Sequence, residues 1–215
     1  MSLKAKRKRN MGIMIICLIL IAIVFIYPVY LMFMNSFKPF GEIVADVLAF
    51  PKHFDLSNYT YVIKKMDYAL LFRNNVIITV IGIAGIVVFS SMAAYMLDRK
   101  DGRYTKIAYA IITTPMLIPF QTIMLPLYFT LKSMEMLNSL TGISLLMIGT
   151  GEGFAIMMMR SFFISIPDSM IEAARLDGCS ELKVLTKVIL PNTFPAWTSL
   201  IVITAMGAWN NLLAP

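Results

Sequence analysis

Five long apolar stretches constrain this chain to cross a membrane repeatedly. They cover about residues 12–34, 76–97, 107–131, 140–163 and 195–213. Each is close to or above the roughly 20 helical residues that a bilayer requires. Hydrophobic residues make up 59% of the 215 residues and charged residues only 14%, too little polar surface for a soluble domain of this length. The sequence therefore predicts an all-α, polytopic membrane protein with five transmembrane helices.

The first apolar stretch follows five basic residues, which is also how a secretory signal peptide begins. The stretch is longer than the apolar core of a signal peptide, and residues 33–36 contain no A-x-A cleavage site. We therefore favour an uncleaved first span over a removed signal peptide.

Basic residues set the predicted orientation. The net charge is +7, and the charges cluster between the apolar stretches, which is typical of membrane topology and not of nucleic-acid binding. With the N-terminus in the cytoplasm, 13 of the 19 lysines and arginines fall on the inner side. Residues 1–11 then form a basic cytoplasmic N-terminus and residues 12–215 a transmembrane domain. Within that domain we expect an extracellular loop at 35–73 and a cytoplasmic segment at 164–192.

Cysteine and histidine are too few and too scattered to predict a disulfide or a metal site. Cys17 lies inside an apolar stretch and Cys179 inside a polar one, so we expect them at different depths. His53 lies in a polar loop with no second ligand nearby. We expect this chain to bind no metal, no cofactor and no nucleic acid.

The third apolar stretch contains Pro115, Pro119 and Pro126. Each proline removes a backbone hydrogen bond, so the stretch is predicted to be a kinked helix. Two interpretations remain open: a bent helix that is simply packed, and a helix that bends around a transport pathway.

The segment 164–192 interrupts the apolar pattern with a first helical signal that ends at a glycine. Pro167 suits the first helical position, and Asp168 in the first turn favours the helix dipole. Gly178 fits a terminator in the left-handed conformation. The pattern predicts a short helix followed by a glycine turn.

A second helical signal follows the glycine. Ser180 is predicted to cap this helix, with Glu181 in its first turn and Pro191 at its end or at the start of the next span. Its predicted apolar stripe consists of Leu182, Leu185 and Ile189.

One side of the first helix is predicted to present Met170, Ala173, Ala174 and Asp177. Alanines let another surface approach the helix backbone closely, which is typical of a helix that fits a protein groove. The alternative is an amphipathic helix that lies on the membrane surface.

The same segment resembles the EAA loop of ABC importer permeases. That motif reads E-A-A, three residues, G, nine residues, then I-x-L-P. This chain has Glu172-Ala173-Ala174, then Gly178, then Val188-Ile189-Leu190-Pro191 at the same spacing, with valine replacing the first isoleucine. The segments that resemble the carbohydrate (maltose-type) branch of the family are 35–43, 58–59, 72–75, 136–145, 160–178 and 208–211.

The resemblance implies a permease subunit in the inner membrane of a bacterial or archaeal cell. The sequence has no G-x-x-x-x-G-K-[ST] motif, and the family places ATP and Mg on separate ATPase subunits. The other partners that the family implies are a second homologous permease subunit, an extracellular or periplasmic solute-binding protein, and membrane lipid. We expect no enzymatic activity from this chain.

The resemblance also implies roles for individual residues of the EAA loop, whose helix sits in a cleft of the ATPase. Ala173 and Ala174 would pack closely there, Glu172 would make a polar contact and Gly178 would form the turn. Leu190 and Pro191 complete the motif. The loop 35–73 would contact the solute-binding protein, or alternatively hold its aromatics at the lipid headgroups.

Glu152 is the leading candidate for solute contact. It lies near the middle of the fourth stretch within GTGEGF, whose glycines are predicted to weaken or break the helix and expose acceptors for sugar hydroxyls. The alternatives are a satisfied buried glutamate and a protonated one. Gln121 and Asn210 are weaker candidates. Trp209 fits either an interface anchor or a ring that stacks on a sugar.

Other functions remain as alternatives. An importer of another solute class and a non-transporting scaffold both fit the pattern. An intramembrane enzyme requires clustered catalytic groups, whereas the apolar stretches contain Glu152 alone. Members of the resembled family usually have one more span after a W-N pattern, which Trp209, Asn210 and Asn211 match here. We therefore expect this chain to be truncated after Pro215.

Overall fold

The computed structural model describes residues 3–100 and 102–211, with side chains from residue 10 onward. Within these ranges, three helices are long and apolar enough to cross a membrane, and two sharply bent helix pairs raise the number of possible spans to five. This confirms the all-α membrane fold. The basic side chains of residues 4–9 and the predicted end of the last span at residues 212–213 lie outside the described side chains and residues.

The chain is divided into two compact units, with the boundary between Leu71 and Phe72. The helices are α1 (Leu3–Ser36), α2 (Phe40–Ala45), α3 (Ser57–Lys65), α4 (Tyr68–Arg99), α5 (Arg103–Thr113), α6 (Phe120–Ser133), α7 (Leu140–Phe163), α8 (Asp168–Leu176), α9 (Glu181–Val184), α10 (Leu190–Asn192) and α11 (Phe194–Trp209). A 3₁₀ turn (Thr114–Leu117) follows α5, and a π-helical turn (Leu185–Ile189) joins α9 to α10.

The first unit folds the residues after α1 by hydrogen bonds from side chains to backbone. Lys38 is fully buried, and its Nζ donates to the carbonyl oxygen of Asp46 at 3.1 Å. Asn58 donates to the carbonyl oxygens of Ser36 and Lys38 at 3.1 and 2.7 Å. The residues between α1 and α3 are therefore held in a defined conformation.

The core of the second unit collects at one end of α4 and α7, where α8, α9, the π-helical turn and the start of α11 pack against them. Its fully buried apolar side chains are Ala94, Ala155, Met159, Phe163, Val184, Ile189, Ala196 and Leu200. The segment between α7 and α11 is therefore part of the core and not a loop attached to it.

The third predicted span is broken, as its prolines predicted. The helical segment Arg103–Leu117 meets α6 at an angle of 103°. Ile118 is extended at the bend, because a residue before proline is pushed out of the α region. Pro126 lies within α6 without ending it.

The predicted break in the fourth span is wrong, because α7 runs through Gly149, Gly151 and Gly153 without interruption. Two of these glycines make close contacts between helices. A Cβ on Gly151 would lie 2.8 Å from Ile86 Cδ1, and a Cβ on Gly153 would lie 3.1 Å from the carbonyl oxygen of Ile112. The glycines therefore serve packing, which offsets their poor helix propensity.

Gly142→Ala is expected to destabilise the protein by about 1–3 kcal/mol, the usual cost of overpacking. The new Cβ would lie 2.2 Å from the carbonyl oxygen of Met136, a backbone atom that cannot rotate away. Gly149→Ala in the same helix is the matched control, because no atom lies within 4 Å of its Cβ position. Thermal unfolding of purified protein in detergent measures both, and equal midpoints would contradict this packing.

Candidate coupling segment and solute cleft

The helix α8 ends in a glycine turn, as the sequence predicts. Gly178 has a φ of +79°, and its N–H donates to the carbonyl oxygen of Arg175 at 3.0 Å. The N–H of Cys179 donates to the carbonyl oxygen of Ala174 at 3.0 Å. These two bonds form a Schellman motif, which satisfies the last carbonyl groups of the helix.

Three details of the predicted helix pair are wrong. Pro167 precedes the first helical residue, which is Asp168. Ser180 occupies the N-cap position of α9, but its side chain makes no capping hydrogen bond. Leu182 is 61% exposed, and Val184 takes its place in the core. The other two members of the predicted stripe, Leu185 and Ile189, are buried in the π-helical turn that follows.

The two alanines of the EAA motif face different surroundings. Ala174 is half-buried against the core of its own chain, beside the buried Ile171 on α8. Ala173 and Glu172 are exposed. The predicted alanine strip therefore offers one alanine to a partner and one to the core.

Leu176 is an exposed apolar residue that the sequence reasoning missed. It is 89% exposed at the last position of α8, directly before the glycine turn. It falls outside the i, i+3, i+4, i+7 set that was assigned to the helix face. The signal that could have found it is a large apolar residue at the end of a short polar helix.

A cluster of hydrogen bonds connects the end of α8 to α9 and α4. Arg175 donates from Nε and Nη2 to the two carboxylate oxygens of Glu181, at 2.9 and 3.1 Å. Tyr95 Oη donates to the same carboxylate. The hydrogen bond with Glu181 raises the pKa of Arg175 above its usual value.

The start of α8 is bonded to the ends of α4 and α7. Arg99 Nη1 donates to the carboxylate of Asp168, and Arg99 Nη2 donates to the carbonyl oxygen of Phe163 at 3.1 Å. Arg99 also lies 2.8 Å from the carboxylate of Asp98.

The EAA motif ends at a sharp bend of 82° between the helical segment Glu181–Asn192 and α11. Leu190 is half-buried and Pro191 is exposed. The carbonyl oxygen of Leu190 accepts a hydrogen bond from Trp197 Nε1 at 3.0 Å, and that of Ile189 accepts one from Thr193 Oγ1 at 2.9 Å. Side chains therefore satisfy carbonyl groups that border the bend.

A cleft of about 850 Å³ separates the bent third span from α7. Among the described residues that line this cleft, Glu152 is the single ionisable one. Both carboxylate oxygens are buried and have no hydrogen-bond partner among the described residues. The remaining lining is largely apolar, with Thr130 and Thr150 as further polar residues.

A second cavity, of about 300 Å³, continues the cleft along α6. It adds Tyr128 and Asn138 to the lining. The residues that line both cavities are Phe120, Leu127, Leu131, Met136 and Leu146. Together the two cavities form a groove from the middle of α7 toward its first turn.

The weaker solute candidates lie outside this groove. Gln121 is exposed at the start of α6 and lines neither cavity. Asn210 caps α11, with its side chain donating to the carbonyl oxygen of Met206 at 2.9 Å. The ring of Trp209 packs edge-on against Phe72, with the ring centroids 5.7 Å apart. Glu152 is therefore the sequence-predicted candidate that the structure places in the cleft.

The chain is similar to membrane components of transport systems. The family model of the binding-protein-dependent transport system inner membrane component matches residues 86–215. The probable starch degradation products transport system permease protein AmyC of Thermoanaerobacterium thermosulfurigenes is 35% identical over 197 residues, which cover 92% of this chain and 72% of that protein. The glucose import system permease protein GlcU of Saccharolobus solfataricus is 29% identical over 209 residues, covering 93% of this chain and 72% of that protein.

A solved structure shares the fold. It is the crystal structure of a bacterial ABC transporter involved in the import of the acidic polysaccharide alginate. Its matching chain superposes with a TM-score of 0.82 at 28% identity, covering 95% of this chain and 72% of that one.

Gly178→Ala is expected to loosen the end of α8 by about 1–2 kcal/mol, the cost of a left-handed backbone for a residue with a Cβ. No atom lies within 4 Å of the Cβ position, so the effect is purely conformational. Tryptic cleavage after Arg175 should become about tenfold faster, because 1.4 kcal/mol corresponds to a factor of ten. Gly178→Asn, which tolerates this conformation, should stay close to wild type. Equal cleavage of the alanine variant and wild type would count against the turn.

Proposed function

This chain belongs to the family of inner membrane components of binding-protein-dependent transport systems, and from that premise we propose that it carries a sugar or oligosaccharide across the membrane as the permease subunit of an ABC importer. The family resemblance predicted from the EAA motif is thereby confirmed, as is a multi-pass location in the membrane. The proposal for the solute class rests on relatives that are named for starch degradation products and for glucose.

The shape of residues 164–192, which we call the coupling segment, is the observation that carries this function. A short helix with a defined end projects Glu172, Ala173 and Leu176 to the outside, while Ile171 and Ala174 fix it to the core. A short helix that presents small and apolar residues outward can fit into a groove on a partner protein. We assign this surface to the ATPase subunit, which in our proposal binds ATP and Mg and performs the hydrolysis.

The other partners follow from the same assignment. With the N-terminus in the cytoplasm, the residues between α1 and α4 face outward and contact the solute-binding protein. Several aromatic residues are available there, including Phe40, Phe50 and Tyr61, which are all exposed. The exposed apolar surface of α1 faces lipid and the second permease subunit.

The cleft beside α7 is the proposed solute pathway. Two buried carboxylate oxygens without partners can accept hydrogen bonds from sugar hydroxyls, and such bonds compensate the cost of burying them. Phe120 and Tyr128 supply ring faces in the same groove, suited to the apolar faces of sugar rings. We therefore propose that Glu152 contacts the solute.

Ala173→Gln should lower solute-stimulated ATP hydrolysis by more than tenfold in the complex reconstituted with its partners. A long side chain at an exposed small residue of the contact surface prevents close packing, and overpacking of a fitted contact costs about 1–3 kcal/mol. Thr186→Gln is the control, since Thr186 is exposed on the π-helical turn. Unchanged hydrolysis in the Ala173 variant would contradict the proposed ATPase contact.

Glu152→Ala should raise the solute concentration needed for half-maximal uptake by about tenfold, as expected for the loss of hydrogen bonds to a charged group. Binding of the ATPase subunits should be unaffected, because the coupling segment is intact. Glu152→Gln keeps one acceptor and should fall in between, while Glu135→Gln, at an exposed site, serves as the control. Unchanged uptake kinetics in both Glu152 variants would remove the solute role of this residue.

A further inference from the structure

Tyr95 and Arg99 lie one helical turn apart near the end of α4, so their side chains leave the same face of that helix. Arg99 donates to Asp168, the first residue of α8, and Tyr95 donates to Glu181, the first residue of α9, which in turn accepts from Arg175 near the end of α8. We call these two connections ties. Building on the proposed function, we infer that this pair fastens α8 to α4, so that the two helices move as one body when the ATPase displaces α8. Tyr95 and Arg99 are then positioning residues for transport.

The first tie holds the end of α8 through one carboxylate. Glu181 accepts hydrogen bonds from Tyr95 and, through both of its oxygens, from Arg175. It thereby joins α4, α8 and α9 at one point. The ring of Tyr95 is 3% exposed in the core, so its hydroxyl cannot follow a moving carboxylate by turning into solvent. Hydrogen bonds to an ionised group are about twice as strong as neutral ones, which favours a rigid junction.

The second tie holds the start of α8 through one guanidinium group. Arg99 donates to Asp168, the first residue of α8, and to the carbonyl oxygen of Phe163, the last residue of α7. The planar guanidinium presents its N–H groups in a fixed fork, so the two acceptors must keep their relative position. Lysine cannot reproduce this geometry, because its ammonium group is a single donor centre on a flexible stem.

Apolar packing between the two ties completes the unit. Ile171 lies in the middle of α8 and is buried, as is Val184 at the end of α9. A displacement of α8 relative to α4 would have to break both polar ties and open this packing together. A displacement of α8 together with α4 breaks neither tie. The movement that the ATPase imposes on α8 is therefore transmitted to α4, which spans the membrane.

A distance measurement in the assembled complex tests the inference directly. Spin labels are placed at Lys100, just after α4, and at Ser169 in α8, both exposed, with Cys17 and Cys179 replaced by serine. In the wild-type background the label distance should be the same in the nucleotide-free and ATP-trapped states. With Tyr95→Phe and Arg99→Lys combined, the distance should change when ATP is trapped. A wild-type distance that changes with ATP would overturn the inference.

The coupling ratio provides a second test, with solute transported per ATP hydrolysed as the readout. Tyr95→Phe keeps the buried ring and removes only the hydroxyl, and the ratio should fall about tenfold while hydrolysis continues. Glu181→Gln should produce a similar fall. The double variant should be little worse than Glu181→Gln alone, because that change already removes the carboxylate charge that receives hydrogen bonds from Tyr95 and Arg175. Tyr104→Phe, at a residue that is 88% exposed on α5, is the control.

The outcomes separate this inference from the proposed function. Additive losses in the double variant, or a wild-type ratio in Tyr95→Phe, would overturn the tie while leaving the permease assignment in place. A wild-type complex that binds no ATPase would instead overturn the proposed function. If Tyr95→Phe fails to assemble, the label distance in the wild-type background still decides, because that measurement needs no substitution in either tie.

Discussion

The packing of α8 and its following turn onto the ends of α4 and α7 is the interaction on which the rest of this chain depends. Side chains from each of these elements are buried together, among them Tyr95, Phe163, Ile171 and Ile189. Helices surrounded by lipid gain little from apolar contact with one another, because lipid tails are as apolar as leucine. At the membrane surface, by contrast, removing apolar side chains from water is favourable. The buried apolar core of the second unit therefore forms where α8 and the π-helical turn meet the ends of α4 and α7.

Backbone hydrogen bonding decides where the spans can bend. In an apolar environment each unpaired carbonyl group costs several kcal/mol, so a bend needs side chains that replace the missing N–H donors. Near the bend before α11, the side chains of Thr193 and Trp197 add hydrogen bonds to the carbonyl oxygens of Ile189 and Leu190, which also accept from the backbone N–H of Thr193. The bend of the third span lies at Ile118 and Pro119, beside the open cleft, where irregular backbone is tolerated. The two bends thus occur beside the proposed coupling segment and the proposed solute pathway.

The sequence predicted the features that arise from local physics. Apolar length predicted the spans, and the left-handed preference of glycine predicted the turn at Gly178. The features that it missed depend on tertiary contact. The π-helical turn at Leu185–Ile189 has no local signal, and the pairing of Tyr95 with Glu181 joins residues 86 positions apart. Glu152 was found from its chemistry alone, whereas its cleft depends on how α6 and α7 are arranged.

The incorrect prediction of a broken α7 bears on how the proposed pathway works. Glycines were expected to interrupt this helix, yet its continuity gives a rigid connection between Glu152 and Phe163. The two residues are 11 positions apart, about 16 Å along a helix axis. Phe163 belongs to the core of the second unit, and its carbonyl oxygen accepts a hydrogen bond from Arg99. In the proposed mechanism, a displacement at the coupling end therefore moves the carboxylate in the cleft without an intervening hinge. A break at Gly153, which lies between the two residues, would have absorbed that motion before it reached the solute.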